Sequence, residues 1–571
     1  MSALHDKPSD FRLAFDRLRS SGNLGWSIGA LFISLVIAAP IASVALLALQ
    51  SSGDTWPHLI AYVLPSAVTR TVLLMAGVGI LTLIIGAGTA WLVTMYRFPG
   101  RGIFEWLLLV PLAVPTYIIA FCYLELLDFS GPLQTSLRDL FGWTNASQYW
   151  FPEIRSLGGA IFVMSFVLYP YVYITARASF LQQSVCVLEV SRTLGRSPWG
   201  CLWEVALPLA RPALAAGVSL ALMECLNDIG AVEFLGVNTL TVSVYSTWLE
   251  RGSLAGAAQI SCVMLLFVFG LLWMERAARR NRQYHHTTGV YRHLPEEPLG
   301  PLGSVLAVLA CATPILLGFI VPLSMLADSA LADLQTGLDA DFWRDAGNSL
   351  GLAVSAALVA VALGVVLAYA RRATRSALVQ TATGLTSLGY AVPGTVLAVG
   401  ILVPLATFDN SVDALMRSTF GISTGLLLSG TGAALILAYT VRFLAISLGT
   451  IDAGFKKTSM NLDAASRTLG IGVSKTLFRI HLPILAPVLG AAALLVFVDS
   501  MKELPATLLL RPFNFDTLAT RVYTLASFDQ FEEAALGALT IVAIGLTPVI
   551  LIHRAISTAR PGSSSSQRSK T

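Results

Sequence analysis

The sequence predicts an all-α polytopic membrane protein of about 12 transmembrane helices, arranged as two parallel six-helix repeats. Three observations predict it. Hydrophobic residues make up 55% of the 571-residue chain and charged residues only 12%, about half the charged share of a soluble domain, and mean hydropathy is +0.72. The apolar residues fall in blocks long enough to cross a bilayer as helices, the one open-chain form that satisfies its own backbone in lipid. They lack the short alternation of a barrel strand. Finally, the pentapeptide Ser-Arg-Thr-Leu-Gly occurs twice, at 191–195 and 466–470.

Taken in order, the N-terminus is polar and basic (Lys7, Arg12, Arg17, Arg19), and an apolar run follows from Trp26. That run is too long for a typical cleaved signal peptide, so it is expected to remain as the first span. Hydropathy windows place spans near 26–49, 66–95, 103–127, 157–181, 205–230 and 254–274. A second set falls near 302–327, 348–370, 378–406, 424–448, 480–500 and 533–556. Lys and Arg then orient the chain. With both termini cytoplasmic, Arg97, Arg101, Arg192, Arg196, Arg276, Arg279, Arg280, Arg282, Arg371, Arg372, Arg375, Lys456, Lys457, Arg467, Lys475, Arg479, Arg554 and Arg560 all fall inside. The opposite loops are poor in basic residues and often acidic, as at Asp333, Asp339 and Asp341. An odd number of spans would break this pattern. The first half is read as 1–281 and the second as 300–560. A cytoplasmic linker over 282–299 carries His285, His286 and His293, read as a solvated stretch near headgroups. The tail 561–571 is read as disordered. The six cysteines show no C-x-x-C pair or metal-ligand spacing and are read as packing residues. Nothing suggests nucleic-acid binding.

The duplication extends beyond the pentapeptide. At the same spacing Leu207-Pro208 matches Leu482-Pro483, and Pro212 matches Pro487. An even number of spans per half makes the two halves same-way-up repeats. Both pentapeptides lie in the long inner loop between the fourth and fifth helices of their half, 182–204 and 450–479. A short helix ending at a permissive glycine, followed by a second helical stretch and an early proline, fits each loop.

These loops resemble the E-A-A-x-x-x-G…L-P element of permease subunits of type I ABC importers. In the first half Glu189, Ser191, Arg192 and Gly195 carry the match; in the second Asp463, Ser466, Arg467 and Gly470 do, with Ala464 where the acid stands in the pattern and Asp463 one residue earlier. The resemblance implies the type I importer permease fold, with these residues coupling the chain to an ATPase through a helix that docks on the nucleotide-binding subunit. No G-x-x-x-x-G-K-[ST] phosphate loop occurs in the chain. The chain is therefore expected to be a transport subunit rather than an enzyme, with no cofactor of its own. ATP and Mg are expected on two separate ATPase subunits, and a periplasmic substrate-binding protein is expected as a further partner. The implied location is the bacterial inner membrane.

A second aligned pair concerns the pathway. Glu224 matches Asp499 and Asp228 matches Glu503, with Glu233 just beyond, all toward the outer end of the fifth and eleventh spans. Ionisable groups there face a cavity or a partner, so these five are candidate pathway residues, a structural role being the even alternative. Arg442 is a candidate counter-ion. The fused layout resembles the permeases of periplasmic ferric-iron importers through Pro111–Pro115, Leu168–Tyr173, Leu226–Glu233 and Lys502–Thr507, and Ala113-Val114-Pro115 recurs as Ala391-Val392-Pro393. Ferric iron prefers carboxylate and phenolate oxygens, which makes Tyr169, Tyr171 and Tyr173 speculative metal contacts beside their more common role as packing. Thiamine permeases share the layout and their cationic cargo suits acidic walls. Phosphonate and polyamine relatives are further possibilities. A secondary transporter of the major facilitator type is the rival from another class; it predicts an ion-coupled relay and no ATPase.

Overall fold

The computed structural model describes residues 24–182, 198–280, 297–332, 337–374 and 376–558. Among the described residues, eleven helices are long and apolar enough to cross a membrane, or twelve with the bent pair Arg101–Ala113 and Thr116–Phe141, which meet at 91°, counted as one span. The protein is a multi-pass α-helical membrane protein. Large apolar side chains such as Phe32 and Leu35 remain open on helix surfaces, 65% and 69% exposed, as expected where lipid is the solvent.

Four π-helical turns lie within the described residues: Leu59–Val63, Leu202–Ala206, Leu316–Ile320 and Leu477–His481. Each is followed at once by a residue-proline pair: Leu64-Pro65, Leu207-Pro208, Val321-Pro322 and Leu482-Pro483. The cause is local. Proline has no N–H to donate and its ring collides with the carbonyl four residues back. One extra residue in the turn moves that carbonyl aside without ending the helix. The expected entry into the fifth and eleventh spans at Leu-Pro is thus present in both repeats, with the same widened turn before it.

The third and ninth spans are not continuous, as 103–127 and 378–406 had been expected to be. In the third, the 3-10 turn Val110–Ala113 precedes an extended Val114 (φ −97, ψ 123), and the α-helix restarts at Thr116 after Pro115 (φ −59, ψ 142). In the ninth, the 3-10 turn Ser387–Ala391 precedes an extended Val392 (φ −78, ψ 122), and the helix restarts at Gly394 after Pro393 (φ −58, ψ 145). A residue before proline is pushed out of the α region, so one dipeptide breaks both spans alike. The ninth helix then runs on to Phe420, past the end of the span placed near 378–406. The outer connections near 129–156, 232–253 and 504–532 contain helices of their own, Pro132–Phe141, Leu240–Leu249 and Leu518–Ser527.

By contacts the chain forms two compact units that differ from the two sequence halves. One joins the stretch up to Ser51 with Ala346–Thr517; the other joins Ser52–Asp345 with the stretch from Leu518. In the first unit, Leu24–Ala48 packs on Gly394–Phe420. The approach is close enough that a Cβ on Gly400 would sit 2.2 Å from the Pro40 carbonyl oxygen. In the second unit, Val321–Ala332 packs on Phe531–Thr558, and a Cβ on Gly545 would lie 2.4 Å from the Ala113 carbonyl oxygen. Small residues that let backbones approach this closely are the usual means of helix association where lipid removes the hydrophobic drive.

Candidate functional site

Of the eight residues expected to couple the chain to an ATPase, Glu189, Ser191, Arg192 and Gly195 lie outside the described residues. The second loop is fully described. Asn461–Thr468 is a short helix. It ends at Gly470, whose φ of +72 is left-handed. The Gly470 amide donates to the Arg467 carbonyl at 3.0 Å and the Ile471 amide to the Ser466 carbonyl at 3.0 Å, the Schellman pattern that satisfies the last carbonyls of a helix. A glycine was expected at this stop, and its backbone geometry shows why.

The helix has two faces. Asp463 and Ser466, one turn apart, are buried at 8% and 2% exposure. Ala464, Ala465, Arg467 and Leu469 are exposed. Ser466 Oγ shares a hydrogen with Thr476 Oγ1, and Arg467 Nε donates back to the Asp463 carbonyl at 3.3 Å. Asp463 is the centre of a cluster. Arg372, near the end of the eighth span, donates from Nε (2.9 Å) and Nη2 (2.6 Å) to Oδ2. His481, at the entry of the eleventh span, places Nε2 at 2.8 Å from Oδ1. Arg372 also donates to the carbonyls of Phe455, Thr458 and Ser459 at 2.8, 3.1 and 3.0 Å. His481 is fully buried between the rings of Phe455 and Tyr369, at centroid distances of 5.5 and 5.7 Å. Burial pushes the Asp463 carboxyl up, but the hydrogen bonds and charges of Arg372 and His481 outweigh it and hold it below the usual carboxylate value. The carboxylate therefore faces the helix bundle, and the exposed face of the loop is made of Ala464, Ala465 and Arg467 together with the leucines Leu462 and Leu469. Arg372 and His481 carried no sequence signal as a pair, because their partner is about 90 residues from one and 18 from the other.

The candidate pathway carboxylates divide into two kinds. Glu224 and Asp499 are half-buried, and Asp499 pairs with Lys502 at 3.0 Å. Asp228 and Glu503 are buried, at 9% and 4% exposure. Each packs at the start of the helix that follows the Val-Pro break of its own repeat. Asp228 accepts the hydroxyl of Thr116, the first residue of that helix, and the Ala231 amide at 2.8 Å. Glu503 accepts Arg442 Nη1 at 2.8 Å, the amides of Ala506 and Thr507 at 3.3 Å each, and the Thr507 hydroxyl at 3.0 Å. A Cβ on Gly394, the helix-starting residue there, would lie 2.7 Å from Glu503 Oε1. Helix N-termini favour negative charge, so each carboxylate pins the broken span to the span beside it. The difference between the copies is the cation: the position of Arg442 is Val167 in the first repeat. Arg442 was expected to be a counter-ion, and Glu503 is its partner. Thr116, which directly follows the Val-Pro break, was not singled out from sequence; Thr507, four residues after Glu503, was named only as the end of the Lys502–Thr507 stretch.

Glu233 is exposed and accepts the Tyr523 hydroxyl at 2.6 Å. Tyr169 and Tyr173 are fully buried and Tyr171 half-buried. Tyr173 donates its hydroxyl to the Glu105 carbonyl at 3.0 Å. Among the described residues no three His, Cys, Asp or Glu side chains come together in a way that could hold a metal ion.

Residues 80–283 match the family described as binding-protein-dependent transport system inner membrane component. An Fe(3+)-transport system permease protein, FbpB 2, of Haemophilus influenzae is 26% identical over 493 residues, covering 85% of this chain and 89% of that protein. Shorter relatives share the likeness. The sulfate transport system permease protein CysT of Escherichia coli is 27% identical over 40% of this chain and 79% of its own length. The molybdenum transport system permease protein ModB of the same species is 26% identical over 34% of this chain and 84% of its own length.

Proposed function

We propose that this chain, a fused permease subunit with the type I ABC importer fold, forms the translocation pathway for ferric iron delivered by a periplasmic binding protein. The observation that carries the iron reading is the match over 85% of this chain and 89% of a relative named for Fe(3+) transport. The half-length relatives named for sulfate and molybdenum cover no more than 40% of it. The carboxylates Glu224, Asp228, Glu233, Asp499 and Glu503 support a cationic cargo in charge and in oxygen chemistry. Glu224 and Asp499 are the more accessible of the matched pairs, and they are the ones placed on the pathway in this reading. Asp228 and Glu503 act there by holding the broken spans.

In this mechanism both termini are cytoplasmic, as the Lys and Arg pattern supports. Two separate ATPase subunits bind ATP and Mg. Their closure acts through the loops around Gly195 and Gly470, and the pathway alternates between inward and outward access. The test is uptake of radiolabelled iron into proteoliposomes holding this chain, its ATPase and its binding protein, with thiamine, sulfate and molybdate as competing cargoes. ATP-dependent iron accumulation is the expected result. Uptake of a different cargo with none of iron would overturn the iron reading. Movement of substrate by the chain alone down an ion gradient would overturn the importer reading.

A further inference from the structure

We infer that Arg372, Asp463 and His481 form a mechanical link that transmits force between the second coupling loop and the helix bundle. The inference rests on the importer reading above. The helix Asn461–Thr468 touches its surroundings through few buried side chains, Asp463 and Ser466. Of these, only Asp463 reaches two spans: Arg372 belongs to Ala340–Thr374, and His481 closes the widened turn that leads into Leu482–Met501. Arg372 adds the carbonyls at the end of Gly432–Lys457 and just beyond it. One carboxylate therefore joins the loop helix to the ends of three long helices. Such a joint moves as a body, because a buried, doubly hydrogen-bonded carboxylate–guanidinium pair loses far more than an exposed one when pulled apart.

The sequence repeat supplies the comparison. At the same spacing that superposes the two pentapeptides, Arg372 falls on Arg97, Asp463 on Leu188 and His481 on Ala206. The arginine is present in both repeats and the imidazole in the second alone; the first repeat's acid, Glu189, stands one residue beyond Leu188. Leucine and alanine cannot accept from a guanidinium. The residues at these aligned positions therefore differ between the repeats. Arg372, Asp463 and His481 act as positioning residues, through the helices they join.

The test removes the acid and the imidazole from the second loop's link. Asp463→Leu with His481→Ala, which installs the residues of Leu188 and Ala206, is assembled with the ATPase and binding protein in proteoliposomes. ATP hydrolysed per substrate imported is the readout. The expected result is a complex that still co-purifies with its ATPase and consumes at least about fivefold more ATP per substrate, the lower end of typical coupling factors. Asp463→Asn, which keeps the shape and removes the charge, is expected to fall between this variant and the wild type. A normal ratio in the double variant overturns the inference, including the case where only yield falls, which marks a structural role. If the double variant does not assemble, a normal ratio for Asp463→Asn overturns it. A wild-type complex that imports nothing with ATP present overturns the importer reading instead.

Discussion

Removing Glu503 should cost far more than removing its counterpart Asp228, and the structure says by how much. Glu503→Ala deletes four hydrogen bonds at a site 4% exposed and takes away the counter-charge 2.8 Å from Arg442, itself 5% exposed. Breaking a buried pair from one side costs about 3–5 kcal/mol, whereas replacing both partners with apolar residues of similar volume is often neutral. Glu503→Ala and Arg442→Met alone should therefore each destabilise by about 3–5 kcal/mol. Arg442→Met with Glu503→Met should lose about 1 kcal/mol or less, giving a large favourable coupling. Asp228→Ala removes the acceptor of a hydroxyl and an amide donor but strands no cation, because Val167 stands where Arg442 does. Its cost should be about 1–3 kcal/mol. The assay is reversible unfolding of the purified protein in mixed micelles by titration with SDS, followed by circular dichroism, as a double-mutant cycle. A double variant whose loss equals the sum of the two single losses, within about 0.5 kcal/mol, would refute the coupling of Arg442 to Glu503.

Three further outcomes follow from the same geometry. Gly470→Val forces a β-branched residue into φ +72, at a cost of about 1–2 kcal/mol in local helix stability; Gly470→Asn should lose less, and hydrogen exchange over 461–471 measures both. Gly400→Leu drives a side chain into the Pro40 carbonyl 2.2 Å from an added Cβ, so thermal stability should fall by about 1–3 kcal/mol while a change at Gly449, where nothing lies within 4 Å, should not. Asp463 is held below its ordinary value in the folded protein, so its contribution is complete above about pH 4 and is lost as pH falls through the folded value. Exchange protection of 461–468, corrected for intrinsic rates, should be flat from about pH 5 to 8 and drop in acid. Asp463→Asn should remove that drop, and a drop that persists would place the titration elsewhere.

The spans were legible because lipid imposes a length and a composition on every helix that crosses it. The duplicated loop was legible because a pentapeptide and two prolines recur at one spacing. The breaks in the third and ninth spans were half-legible: the repeated Ala-Val-Pro marked the place, yet hydropathy read through it, since the break is a matter of backbone angles and leaves composition unchanged. Asp463, Asp228 and Glu503 were visible as carboxylates, and their roles were not. What decides those roles is Arg372, His481, Thr116 and Arg442, which arrive from other helices. The sorting of spans into compact units was beyond the sequence for a further reason. Leu24–Ala48 presents apolar residues on all sides, and in a solvent as apolar as the side chains nothing in the pattern says which neighbour it prefers.

The home of that first helix sets a problem in time. Leu24–Ala48 is synthesised 360 residues ahead of the Gly400 surface that receives Pro40, which is still unmade when the helix reaches the membrane. At about 5–20 residues per second, the ribosome needs roughly 20–70 seconds to reach it. For that interval the helix waits in lipid, unpartnered by its eventual neighbour, while the whole of the other unit's central stretch is threaded. Had the two halves been separate chains, the wait would end in a search governed by concentration. A covalent fusion ends it within one molecule, where the partner is delivered at an effective concentration set by the connecting chain. The long detour between these two helices thus gives the gene fusion a role in biogenesis, apart from anything it contributes to transport.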